Sequence, residues 1–325
     1  MNEVSLITQH PAPAARPAPP APGRSGDEVA RVTGLEKRYG PKHAVRNVNL
    51  SVHRGEVYGF LGPNGAGKTT TIRALLGLIR PTAGRVTLFG EPRNPRSAAR
   101  VGALVESPSA YAHLTARENL EVTRRMIAAP RAQIPEMLDL VGLSADADRP
   151  VRGFSLGMKG RLGLALALLG KPELLILDEP TNGLDPAGIR EVRDLIRTLP
   201  ERGVTVMVSS HLLAEVELMA THVGIINAGA TVFEGPLEAL RAHAVPRLTI
   251  AAEPVAEARA VLSRLGLKAS LTPDGLLELP AAGVDAARLN AALVQAGIRV
   301  SRLEPGRASL EELFLDLTEH AQAQA

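Results

Sequence analysis

Apolar and polar positions alternate along this chain in two rhythms. Apolar runs at residues 29–35, 48–52 and 57–61, divided by Gly and Asn, predict strands. The third run enters a glycine-rich loop and leaves with apolar residues at Ile72, Leu75, Leu76 and Ile79, a helical spacing. Arg80-Pro81 stops that helix, and residues 85–89 and 101–105 predict two more strands. From 107 to 157 the strand–helix alternation breaks. Thr115-Ala116-Arg117-Glu118 is a capping box for a helix to about 128, and another helix is expected at 134–141. This stretch reads as an inserted helical subdomain. Residues 154–158 open a helix to about 169, and an apolar run from Leu174 ends in Asp178-Glu179. A helix beginning at Pro186 and strands at 204–208, 223–227 and 231–234 complete the pattern.

Beyond residue 235 the rhythm becomes β-α-β-β-α-β, with strands at 247–251, 269–272, 276–279 and 299–303 and helices at 255–265 and 286–296. That order predicts a ferredoxin-like unit, followed by a helix over 310–318 behind the capping box Ser309-Leu310-Glu311-Glu312. At the other end, alternating Pro and Ala cannot form a packed core and predict a tail over 1–28. The expected division is therefore 1–28, 29–235 and 236–325.

Composition narrows the options. A chain of 325 residues with 45% hydrophobic positions can bury a sizeable core. No apolar run approaches the roughly 18 residues of a membrane-spanning helix; the longest candidate, 162–169, ends at Gly170-Lys171-Pro172. Residues 4–7 are too short an apolar core for a secretion signal. Without cysteine there are neither disulfides nor thiolate metal sites. A formal charge of +3, scattered arginines and 2% aromatic residues argue against nucleic acid as a partner.

The chemistry concentrates between strand 57–61 and the helix after it. Gly62-Pro63-Asn64-Gly65-Ala66-Gly67-Lys68-Thr69 matches the G-x-x-x-x-G-K-[ST] pattern without a gap. Glycines let backbone N–H groups converge on anionic oxygens, and the helix N-terminus adds its partial positive charge. Lys68 is expected to neutralise β- and γ-phosphates, and the Thr69 hydroxyl to reach Mg²⁺. Asp178 and Glu179 end a buried strand, at the edge where open α/β sheets bind ligands. Asp178 is the candidate Mg²⁺ ligand, and Glu179 the base that polarises the attacking water. Adjacent residues of an extended strand face opposite ways, so the two carboxylates should not share a role. His211 ends another strand and is a candidate γ-phosphate contact; Tyr39 is a candidate platform for an adenine ring.

The ordered set of Tyr39, the phosphate loop, Glu106, residues 154–158, residues 174–179, residues 182–185 and His211 strongly resembles the nucleotide-binding subunit of an ATP-binding cassette transporter. The resemblance covers about residues 29–235. It implies an α/β P-loop NTPase core with an inserted helical subdomain, an ATPase using ATP and Mg²⁺, with Thr70 also at the nucleotide and Glu106 beside the metal. It further implies two copies, a homodimer, sandwiching two ATP molecules, with Ser155, Leu156, Gly157 and Asp185 reaching the partner's ATP. A separate transmembrane permease is the expected partner, and the inner face of the cell membrane the expected location. Two departures stand out. Glu106 replaces the usual glutamine, as in the branch exporting lantibiotics, bacitracin and similar antibiotics, and Gly160 stands where that branch usually carries glutamine. The C-terminal unit resembles the extension on many drug- and antibiotic-exporting subunits.

Overall fold

The computed structural model describes residues 27–105, 110–243, 246–272, 274–281, 283–307 and 313. Most of the Pro/Ala tail, Glu106 and nearly all of the helix expected at 310–318 lie outside the described residues. Two twelve-residue strands come first, β1 (Glu28–Tyr39) and β2 (Lys42–His53), turned by Gly40-Pro41 with Gly40 at φ 56°. They outrun the predicted strands because Tyr39 still pairs with Lys42 across the hairpin. The polar Lys37 and Arg38 there carry no apolar alternation to read.

The first unit continues with β3 (Val57–Leu61), α1 (Lys68–Leu76), β4 (Ala83–Leu88), β5 (Glu91–Pro92), α2 (Pro95–Ala98) and β6 (Val101–Leu104). The helical insert follows as α3 (Ala116–Ile127) and α4 (Gln133–Leu140). Then come α5 (Leu156–Leu168), β7 (Leu174–Asp178), α6 (Pro186–Thr198), β8 (Thr205–Ser210), α7 (Leu213–Glu217), β9 (His222–Asn227) and β10 (Ala230–Pro236), after which α8 (Leu237–Ala242) runs on into the second unit. One sheet runs β5-β4-β1-β2-β10-β9-β3-β8-β7-β6, and its five strands β9-β3-β8-β7-β6 are parallel. Strands covered on both faces should be apolar throughout. Accordingly β3, β7 and β8 are buried at every residue. Gly59 is needed because a Cβ there would lie 2.2 Å from Val216 Cγ1, so α7 sits directly on β3.

In the insert the predicted capping box is present: Thr115 Oγ1 accepts from the Glu118 amide at 3.1 Å, and the Thr115 amide donates to Glu118 at 2.8 Å. Arg161 of α5 donates to the carbonyls of Val141 and Gly142, both at 3.1 Å, and pairs with Glu191 of α6 at 3.4 Å. One guanidinium thereby satisfies the end of α4 and binds the insert to the sheet-covering helix α6. Next to it, Gly160 has room: a Cβ would meet only Leu184 Cδ2, at 3.9 Å.

The second unit, beginning near residue 239, contains β11 (Pro246–Glu253), α9 (Val255–Arg264), β12 (Ser270–Leu271), β13 (Leu277–Pro280), α10 (Ala286–Gln295) and β14 (Arg299–Arg307). Its antiparallel sheet runs β12-β13-β11-β14, the order expected of a ferredoxin-like unit. Leu248, Ile250, Leu277 and Leu279 pack with Leu262, Leu289 and Leu293 of the two helices to make a core of its own.

Two positions give stability tests. Since Gly160 lies mid-helix with space for a methyl group, Gly160→Ala should stabilise the protein by about 0.5–1 kcal/mol in urea unfolding. Glu234 of β10 accepts a hydrogen bond from the Ser51 amide. Burial pushes its carboxyl up to about 7 against the opposing Ser51 amide, Arg31 and Tyr58 hydroxyl, with Glu56 adding to the rise. A carboxyl raised in the folded state contributes stability below the ordinary Glu range, and that contribution is lost as pH rises through about 7. Glu234→Gln, which keeps the acceptor, should therefore match wild type near pH 4.5 and exceed it at pH 8 by up to about 3 kcal/mol.

Candidate functional site

Parallel pairing of β3 with β8 and of β8 with β7 sets Leu61 beside Ser210 and Asp178 beside Ser209. Three strand ends thus meet at the carboxyl edge of the sheet, where such folds build their sites. The loop leaving β3 needs its glycines for separate reasons. A Cβ on Gly62 would come 2.4 Å from the Ile226 carbonyl, Gly65 has φ +81°, and Gly67 has φ +110° with Ala44 O 2.9 Å from any Cβ. The helix α1 that follows has no side-chain cap, so its first amides remain for an anion.

Lys68, 6% exposed, donates from Nζ to the Gly62 carbonyl at 2.6 Å and lies 3.1 Å from Glu179 Oε1. The other oxygen of Glu179 is 2.8 Å from His211 Nδ1. The expectation that Asp178 and Glu179 diverge as neighbours on an extended strand needs correcting. β7 ends at Asp178, and Glu179 has φ 51°, in the left-handed region. The carboxylates still have separate surroundings, but the turn of the backbone causes it, at a conformational cost of order 1–3 kcal/mol. The Glu179 amide donates to Ser209 Oγ at 3.0 Å, and the Ser209 hydroxyl donates to Asp178 Oδ1 at 2.6 Å. One hydroxyl thus positions both acids.

A cavity of about 370 Å³ opens over these groups, within the size range of small-molecule sites. Pro63, Asn64, Gly65, Gly67, Lys68, Thr69 and Thr70 line one side, and Glu179, Asn182 and His211 the other. Gly62 and Ala66 are buried behind the loop, and Asp178 is 2% exposed beneath it. Tyr39 is exposed at the end of β1, with Lys37 Nζ 4.9 Å from its ring centre, and does not line the cavity. Ser155, Leu156, Gly157 and Asp185 do not line it either. Ser155 caps α5 by accepting from the Met158 amide at 3.2 Å, and Asp185 caps α6 by accepting from the Gly188 amide at 3.2 Å. Glu106 lies outside the described residues.

Three residues here escaped the sequence reading. Lys42 and Ala44 reach the cavity from β2; only the extended hairpin, invisible to apolar periodicity, brings them there. Ser209 was legible as a strand-end residue, but its tie to both acids needs the β7–β8 register.

Comparison with known proteins places this geometry. Residues 45–182 match the ABC transporter family. The bacitracin transport ATP-binding protein BcrA of Bacillus licheniformis is 43% identical over 296 residues, 89% of this chain and 97% of that protein. The lantibiotic transport ATP-binding protein SrtF of Streptococcus pyogenes is 43% identical over 206 residues, 63% of this chain and 90% of its own. Among solved structures, an ATP-binding subunit of an ABC transporter superposes with a TM-score of 0.60 at 28% identity, covering 66% of this chain and 92% of that one. The cbiO1 subunit from Clostridium perfringens gives 0.61 at 26% identity, covering 74% and 98%.

Ser209→Ala leaves the Glu179 amide and the Asp178 carboxylate each short of a partner in a buried setting. The expected loss is about 1–3 kcal/mol in urea unfolding. Val208→Ala, one residue earlier, removes apolar contacts but not this link, and should not move the His211 ring resonances in an NMR spectrum as Ser209→Ala does.

Proposed function

The chain belongs to the ABC transporter family as an ATP-binding subunit, and from that premise we propose that it powers export of a peptide antibiotic of the bacitracin or lantibiotic kind through a separate membrane-spanning permease. It hydrolyses ATP to ADP and phosphate. The observation that supports this best is the Glu179 carboxylate held between Lys68 and His211 at the mouth of the phosphate loop.

Each part of the site has one task. The loop amides and the uncapped start of α1 receive the β- and γ-phosphates, and Lys68 neutralises their charge. Glu179 takes a proton from the attacking water, and His211 orients that carboxylate while facing the γ-phosphate. Thr69, Asp178 and Glu106 are the residues to hold Mg²⁺, which suits a hard cation that prefers oxygen donors. That ion offsets phosphate charge when bound. Among the described residues no group of three or more His, Asp or Glu side chains could hold a metal ion by itself. Tyr39, which pairs with the cavity-lining Lys42 across the β1–β2 hairpin, is the residue to meet the adenine ring.

Ser155, Leu156, Gly157 and Asp185 serve the ATP of a second copy. Their standing away from this chain's own cavity, with Leu156 52% exposed, supports that assignment. Two copies close over two ATP molecules, and the permease converts closure into movement of cargo. Among the described residues no helix is long and apolar enough to cross a membrane, which fits a subunit peripheral on the cytoplasmic face. A cassette ATPase working on ribosomes or nucleic acid is the lesser reading, since its relatives carry transport names and its basic residues are scattered.

Lys68→Ala should abolish turnover in a phosphate-release assay. Glu179→Gln should lower the rate by about 10²-fold or more while retaining ATP binding, and should elute with Mg-ATP as a dimer on size exclusion. Undiminished hydrolysis by the Glu179→Gln protein would refute the assignment.

A further inference from the structure

The second unit contains a cleft that this mechanism does not use. β12 pairs with β13 only through Ser270 opposite Glu278 and Leu271 opposite Leu277. The next residues of β13, Leu279 and Pro280, have β11 on one side and no strand on the other. Proline lacks the N–H that another strand would need, so the ladder stops there. Between residues 268–270 and 278–280 lies a cavity of about 510 Å³.

Its lining is apolar at the base and cationic around the rim. Ala269 and Pro280 supply the apolar part, over the buried Leu279. Arg247, Arg259 of α9 and Lys268 supply the charge, against the single carboxylate of Glu278. That carboxylate is engaged, 2.8 Å from Arg247 Nη1. Arg259 and Lys268 have no ion-pair partner among the described residues. Two uncompensated cations beside an apolar base favour a ligand that brings both a negative charge and apolar surface, because each half alone leaves the other unsatisfied. Charge without apolar surface would gain little beyond an exposed ion pair.

We propose that this cleft binds a small free anion with an apolar body, a carboxylate, sulfonate or phosphate whose head pairs with Arg259 and Lys268 while its chain or ring covers Ala269 and Pro280. The ligand is a discrete molecule rather than an added peptide strand, since Pro280 denies a strand its hydrogen bond. The site lies wholly within residues 247–280 and does not depend on the reading of the ATP site.

Calorimetric titration of the full chain with dodecanoate below its micelle concentration tests this. One binding site is expected, at least tenfold weaker in Arg259→Gln/Lys268→Gln. Arg299→Gln/Arg302→Gln removes the same charge from β14 at the opposite edge of the sheet and should bind as wild type. Arg259→Lys/Lys268→Arg should retain binding, which guards against misfolding in the Gln pair, as does an unchanged unfolding midpoint. Dodecyltrimethylammonium should give no heat, and whatever heat inorganic phosphate gives at the phosphate loop should be the same in wild type and in Arg259→Gln/Lys268→Gln. Equal dodecanoate affinity in the Arg259→Gln/Lys268→Gln protein, or equal binding of the cationic analogue, would overturn the proposal. Co-sedimentation with phosphatidylglycerol vesicles separates the sources of such a head group. Loss of vesicle binding by that double variant with dodecanoate binding intact would show cations that read a membrane surface, and would also overturn it.

Discussion

The parallel pairing of β8 with both β3 and β7 is the constraint from which the site descends. It brings the end of β3, the Ser209–His211 segment and the Asp178–Glu179 pair to one edge, although they come from three distant parts of the chain. Parallel strands cannot be joined by tight turns and need helices between them. β3, β7 and β8 are therefore buried at every residue, and their one charged residue, Asp178, stands where β7 stops. The chemistry is located by that exclusion. Close packing enforces it, with Gly59 admitting Val216 of α7 and Gly62 admitting the Ile226 carbonyl, so that the loop cannot move without disturbing β9.

Within that frame, the acids are organised by a hydroxyl rather than by alternation along a strand. Ser209 accepts from one backbone amide and donates to one carboxylate, which lets Glu179 take the left-handed conformation that turns its side chain toward Lys68 and His211. A strained backbone is expected where function over-determines it. Polar satisfaction recurs in the insert, where Arg161 meets two carbonyls and Glu191. It recurs again at the lower edge of β7, where Arg54 and Arg100 hold the Glu173 carboxyl down to about 2, first through the Arg100 hydrogen bond.

Much of this was legible in the residues. Local signals carried it: the glycine spacing of the loop, the capping box at Thr115 and Glu118, the apolar run that ends at Asp178, and the β-α-β-β-α-β rhythm of the second unit. What was not legible depends on contacts between segments. Lys37 and Arg38 show no apolar pattern, yet they extend β1 because β2 is there to pair with them, and that extension carries Lys42 and Ala44 to the cavity. Ser209 looks like any strand-end serine until its register against Asp178 is known. The left-handed turn at Glu179 defeats a rule of alternation that holds for the residues before it. The C-terminal cleft arises because β12 is too short for its neighbour, a matter of strand length that sequence pattern resolves poorly.

The ion pair between Lys68 and Glu179 works as an interlock. On the roles proposed for them, one ammonium cannot shield an incoming triphosphate and keep hold of the carboxylate at full strength, so arrival of the nucleotide would loosen the pair. Until it arrives, the resting pose keeps that carboxylate turned to the ammonium. The resting pose thereby couples readiness for chemistry to arrival of the molecule to be cleaved.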